Sequence, residues 1–194
     1  MTTPQAPVFL HVDRVLADFA KKDKPSSADF AAVQALGSFY DKLDTYRIEA
    51  NKMGNPALKT ELHKSSRLAE HMTLAGDSRP SARCDCHAII SGGHKKAIAV
   101  RAIMAWLKVR IDDPHNGCWL PRDWADRPYM PRHLQSAVPH KRIHFEEYYN
   151  WLGSRINLVT INSANDLIFT LNFIRRSLSQ GAVPPEVMPI TGRK

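Results

Sequence analysis

The chain has 194 residues, and 27 Lys+Arg against 19 Asp+Glu leave a formal charge of +8. Its 43% apolar fraction is enough to bury a core and excludes general disorder. Three cysteines exclude a fully paired disulfide framework, and no apolar run approaches the roughly 18 residues of a membrane span.

Val12 to Lys21 places Val12, Val15, Leu16 and Phe19 at helical spacing. Ser27 reads as an N-cap for a long helix from Ala28 to about Met53, with Phe30, Val33, Leu36, Tyr40, Leu43 and Tyr46 as its apolar stripe. Gly54-Asn55-Pro56 breaks it, and Pro56 starts a further helix running to Leu74. His63 and His71 on that helix read as surface residues. Gly76 to Pro80 is the best boundary in the chain. A strand follows around His87 to Ile90, ended by Gly92-Gly93.

Lys95 to Val109 returns to helical period, with Ile98, Ile103, Trp106 and Leu107 as apolar positions. Trp106 and Trp119 read as core. Asn116-Gly117 is a turn signal ahead of the strand-like Cys118-Trp119-Leu120. After a loop rich in Arg and Pro, helices are predicted over His140–Ile156 and Ala164–Gln180, with Gly181 closing the second. Val183 to Lys194 reads as a loosely held tail. The fold class expected is α+β and mostly helical, divided into a helical region 1–78, a core 79–160, and a C-terminal helix with its tail, 161–194.

Charge is uneven along the chain. Residues 1–80 carry eleven Lys/Arg and ten Asp/Glu, and the remainder carries sixteen and nine. A basic back half suits a polyanionic partner. Six of the nine histidines fall within residues 87–144. His140 and His144, four apart on the predicted helix, share one face and suit a common metal ion, with His87 as a third ligand. Cys84, Cys86 and Cys118 with His94 offer a second, structural zinc set, although small side chains packing in a narrow hairpin explain the three cysteines more simply.

Three ordered motifs carry a resemblance. Cys84 to His94, then Asn116 to Pro121, then His140 to His144 with Tyr148-Tyr149, resemble the AHH branch of the HNH/endonuclease VII superfamily. The resemblance implies a ββα-metal core and a bacterial toxin nuclease. It makes His87, His140 and His144 ligands of one divalent ion (Mg²⁺, Zn²⁺ or Ni²⁺) and Asn116 the residue that holds the loop. The family's second histidine, its general base, is replaced here by Ala88. The chain is therefore expected to be catalytically silent, through an introduced substitution, which the intact remainder of the motif favours, or as a naturally degenerate copy. A register with His87 as base and Cys86 as ligand is the alternative. A histidine restored at Ala88 is expected to fold equally well.

DNA is the expected substrate, contacted by Arg122, Arg127, Arg132, Lys141 and Arg142. An RNase on the same scaffold and a non-catalytic metal- and nucleic-acid-binding module are the alternatives. The resemblance also implies an immunity protein as partner, and the N-terminal helices would serve as an adaptor or docking region. With no secretory signal at the N-terminus, synthesis in the bacterial cytoplasm, delivery by a specialised secretion system and action in a target cell are expected.

Overall fold

The computed structural model describes residues 11–141 and 143–189, with side chains from Val15 onward except that of Phe39. Among the described residues, seven α-helices surround a two-stranded sheet: α1 (His11–Ala20), α2 (Ser27–Glu49), α3 (Asn55–Thr60), α4 (Ser65–Leu74), β1 (Cys84–Ala88), α5 (Ile98–Trp106), β2 (Gly117–Pro121), α6 (Glu146–Arg155) and α7 (Ala164–Gln180). The α+β, mostly helical class is as expected.

Helix α2 begins one residue earlier than its sequence suggests. Ser26, not Ser27, is the N-cap: its hydroxyl accepts from the Asp29 amide while Asp29 accepts from the Ser26 amide, a closed capping box. Only the C-terminal end of the predicted stripe is buried, at Leu43 and Tyr46, while Phe30 is exposed.

The single helix expected from Pro56 to Leu74 is two, α3 and α4. Tertiary bonds account for the break. Asp112 accepts from the Lys64 amide at 3.0 Å, lies 2.5 Å from His63 Nδ1, and accepts from Arg67 Nε at 2.6 Å. Burial raises the Asp112 carboxyl, but these partners outweigh it and hold the group below the usual carboxylate range. Nearby, Glu61 accepts from Arg110 at 2.6 Å and from Arg67 at 3.1 Å, and Asp113 accepts from Arg47 at 2.8 Å. His71 is a correction to the surface reading: it is 1% exposed, with Nδ1 2.7 Å from the Asp112 carbonyl.

The strands pair antiparallel with Cys84 opposite Pro121, Cys86 opposite Trp119, His87 opposite Cys118 and Ala88 opposite Gly117. Asn116-Gly117 does not close a hairpin, because the connection from β1 to β2 carries α5. Every residue of β2 is buried. Helix α4 covers the sheet through Leu68 and Met72, and α7 lies along β2, burying Leu167, Leu171, Ile174 and Leu178. Gly117 needs its missing side chain, since a Cβ there would meet Met72 Sδ.

Helix α5 turns inward with Val100, Met104 and Ala105, while Ile98 and Trp106 are about half exposed. Trp106 is therefore not core; Trp119 is, with its Nε1 donating to the Asp77 carbonyl. Helix α7 starts on Ser163, whose hydroxyl accepts from the Asp166 amide, and ends on Gly181 at φ 65°. The segment after it is held rather than loose through residue 189, with Val187 fully buried. The last five residues of the predicted tail lie outside the described residues.

Candidate metal centre

Strand pleat sorts the first motif into two faces. Cys86 and Ala88 share the side of α4: Cys86 Sγ lies 3.5 Å from Met72 Sδ, and Ala88 faces that core beside Gly117. Asp85 and His87 share the other side. Past the strand, Asn116 clamps the chain. Its Oδ1 accepts from the Ile90 amide at 2.8 Å, and its Nδ2 donates to the carbonyls of Ile90 and Ile111 at 3.0 and 2.8 Å.

The expected helix over His140–Ile156 begins only at Glu146, so His140 and His144 precede α6, with the Ile143 amide turned back to the His140 carbonyl at 3.2 Å. Backbone pairing delivers them instead of helical spacing. The His140 amide donates to the Pro121 carbonyl at 2.7 Å and the Lys141 amide to Arg122 at 3.0 Å, laying this segment against the end of β2. Ile143, fully buried, pins the chain between the two histidines.

His87, His140 and His144 thereby converge, with ring centroids 5.1–6.0 Å apart. One ligand nitrogen from each lies within 4.8 Å of the other two. Among the described residues this is the one group of three or more His, Cys, Asp or Glu side chains able to hold an ion.

Hydrogen bonds assign the tautomers of His87 and His140. Tyr148 donates its single hydroxyl proton to the Ile89 carbonyl at 2.8 Å, so its oxygen accepts from His87 Nε2 at 2.9 Å. His87 Nδ1 is left with a lone pair, buried and without a partner. His140 Nδ1 lies 3.1 Å from a carboxylate oxygen of Asp85, which only accepts, so the proton is on Nδ1 and Nε2 is free. His144 Nδ1 lies 3.0 Å from the Tyr149 hydroxyl. His87 and His140 thus each have one nitrogen held and one to offer, the arrangement a metal requires of its histidines, and His144 is held at Nδ1.

Charge is set for the same purpose. Burial, and then the charges of His144, His140 and His63, push His87 well below its ordinary value. Burial and then His140, His94 and His63 lower His144 to about 4. Both rings are uncharged at neutral pH and need shed no proton to coordinate. The orphaned His87 nitrogen, the neutral rings and the all-imidazole donor set fit a divalent ion of borderline softness.

The cysteines with His94 are not gathered into a second site. Cys84 Sγ lies 3.3 Å from Met130 Sδ, Cys86 faces Met72, and Cys118 is fully buried. Burial raises all three thiols, Cys86 to about 12. His94 stacks on Tyr149 at 4.4 Å and accepts from the Lys96 amide. With Cys86 turned to α4, the register that makes it a ligand is not assembled.

The basic residues divide. Arg122 is paired with Asp85, Arg127 donates to the Gln135 carbonyl at 2.9 Å and covers Trp124, and Lys141 reaches Asp123 at 3.0 Å. Arg132 and Lys141 are exposed, and Arg142 lies outside the described residues. Sequence reasoning missed Asp85, although the D-x-H spacing on a strand places Asp85 and His87 on one face.

The profile of the AHH family, described as a nuclease family of the HNH/ENDO VII superfamily with conserved AHH, matches residues 68–175. Neither a curated protein nor a solved structure matches the sequence.

Proposed function

The chain belongs to the AHH nuclease family, and from that premise we propose that it is built as a metal-dependent DNA endonuclease of an antibacterial effector. The convergence of His87, His140 and His144, with one ring nitrogen of each within 4.8 Å of the others, carries this reading. When bound, a divalent ion supplies Lewis-acid stabilisation of charge on the phosphodiester. The chain's own groups do the rest. Asn116 fixes the loop after β1, while Arg122, Arg127, Arg132 and Lys141 offer cationic contacts to backbone phosphates.

Position 88 has no proton acceptor, so water is activated without the family's base and hydrolysis is slow or absent. That alanine also favours a second reading, a metal- and nucleic-acid-binding module without catalysis. The toxin role, a neutralising immunity protein, delivery into a target cell and an adaptor role for residues 1–78 rest on the resemblance of the motifs. Among the described residues no helix is long and apolar enough to cross a membrane.

The test is plasmid and RNA cleavage by the Ala88→His protein in Mg²⁺, Zn²⁺ or Ni²⁺, with and without chelator. DNA cutting that needs metal and is lost in a His144→Ala background supports the reading. Cutting of RNA alone moves the substrate class. A folded, metal-loaded Ala88→His protein that cuts neither leaves the non-catalytic module.

A further inference from the structure

Three tyrosine and carboxylate contacts hold the three histidines, and one of them differs in kind. Tyr148 and Tyr149 are neutral, whereas His140 is held by a carboxylate, Oδ2 of Asp85, at 3.1 Å. The other oxygen of that carboxylate accepts from Arg122 Nε at 3.3 Å. The Arg122 guanidinium also donates to the Ala82 carbonyl at 3.4 Å, fixing it to the strand's entrance. Asp85 sits two residues before His87 on the same face of β1, so one stretch of strand carries both a ligand and the holder of another ligand.

We propose that Asp85 is a positioning residue of the metal centre: it holds His140 in the Nδ1–H tautomer, leaves Nε2 as the donor nitrogen, and strengthens that donor. The inference rests on reading His87, His140 and His144 as one metal centre. His140 needs such a holder more than the others do. It stands at a bend ahead of α6, with no helix to fix its ring, and its side chain is partly exposed. Without the carboxylate the imidazole can turn or take the Nε2–H tautomer, which removes its free nitrogen from the cluster. Arg122 keeps the carboxylate from turning away. Its pairing with Asp85 also explains why this arginine, read from sequence as a DNA contact, lies along the strand.

Outer partners of this type are worth about 10–100-fold in metal affinity. The experiment measures Co²⁺ binding by calorimetry and by the cobalt absorption bands for the parent chain, Asp85→Asn, Asp85→Ala and His144→Ala. The apo melting temperature of each reports the fold. Nitrogen-15 spectra of the apo protein read the His140 tautomer, which a merely structural role for Asp85 would leave unchanged. Asp85→Ala is expected to lose about 10–100-fold in affinity, Asp85→Asn less, and both to shift His140 away from the Nδ1–H form. If the parent binds and His144→Ala does not, while both Asp85 variants bind within twofold of the parent, the role of Asp85 is overturned and the metal centre stands. An unchanged His140 tautomer in Asp85→Ala overturns it as well, whatever the affinity. If the parent takes no Co²⁺, or His144→Ala binds as the parent does, the centre itself falls and the role of Asp85 with it.

Discussion

Replacing Ala88 with histidine sets a gain in chemistry against a loss in packing, and the structure sizes the loss. Ala88 is 6% exposed and lies opposite Gly117, where even one added carbon would meet Met72 Sδ and crowd Leu68. Histidine extends the alanine methyl by a whole ring on that side. The expectation of equal folding is therefore corrected: overpacking of a closed core costs about 1–3 kcal/mol. For a chain of this size each kcal/mol lowers Tm by about 2–4 °C, so a drop of roughly 2–12 °C is expected. A general base is typically worth about 10²–10⁴ in rate, a gain the variant shows only if its ring leaves the α4 side and reaches the face that carries His87. The assay pairs thermal melts with plasmid nicking in Mg²⁺, against a chelator control. Truncating the neighbour, as in Ala88→His with Met72→Ala, should cost less than the sum of the two single changes, because the pair shares one space. A variant that melts no lower than the parent would refute the packing argument. Unchanged nicking by a folded, metal-binding variant would refute position 88 as the site of the base.

Asn116→Ala should lower stability by about 1–3 kcal/mol for each buried backbone group it strands at Ile90 and Ile111, read by urea unfolding; a loss below about 0.5 kcal/mol would contradict its role as a clamp. Burial depresses His87, His144 and His115 below 6.5, so the unfolded chain binds more protons than the folded one as pH falls. Stability of the metal-free protein should therefore decline as pH falls from about 6.5 to about 5, before most carboxylates titrate, and a flat Tm across that window would refute the assignment. DNA binding by the parent chain should weaken with salt at a log–log slope of about −0.9 per phosphate contacted, and Lys141→Ala or Arg132→Ala should each reduce that slope by about one. An unchanged slope in both variants removes these two residues from the interface.

The local signals in the sequence were read well where one segment decides its own structure. The apolar period from Ala164 to Gln180 and Gly181 mark α7, and its N-cap Ser163 comes from the structure. The three metal-ligand candidates came from the spacing of His140 and His144, the strand histidine His87, and motif order. What failed was the reason given for their proximity. Spacing of four suggested a helix face, whereas backbone pairing of residues 140–141 with the end of β2 does the work. Long-range bonds of this kind leave no period in the sequence. Asp112 breaks the helix between α3 and α4 from 48 residues away, and the same network buries His71. Face assignment in α5 erred for a related reason: Ile98 and Trp106 are apolar, but the neighbouring helices cover Val100 and Met104. Asp85 was legible only as a strand pattern, and its partner His140 lies 55 residues on.

The two-stranded sheet has a further consequence for how the molecule opens. A lone pair of strands is marginal in water, so β1 and β2 persist because α4 and α7 cover them. Their amides should exchange with solvent only when the whole core comes apart. The segment carrying His140 and His144 is tied to that core by a few backbone bonds and by Ile143. Hydrogen exchange should then divide the centre into two kinetic halves. His87 belongs to the slowest unit of the protein, while its two companions leave and return by local opening, on a timescale the core never samples.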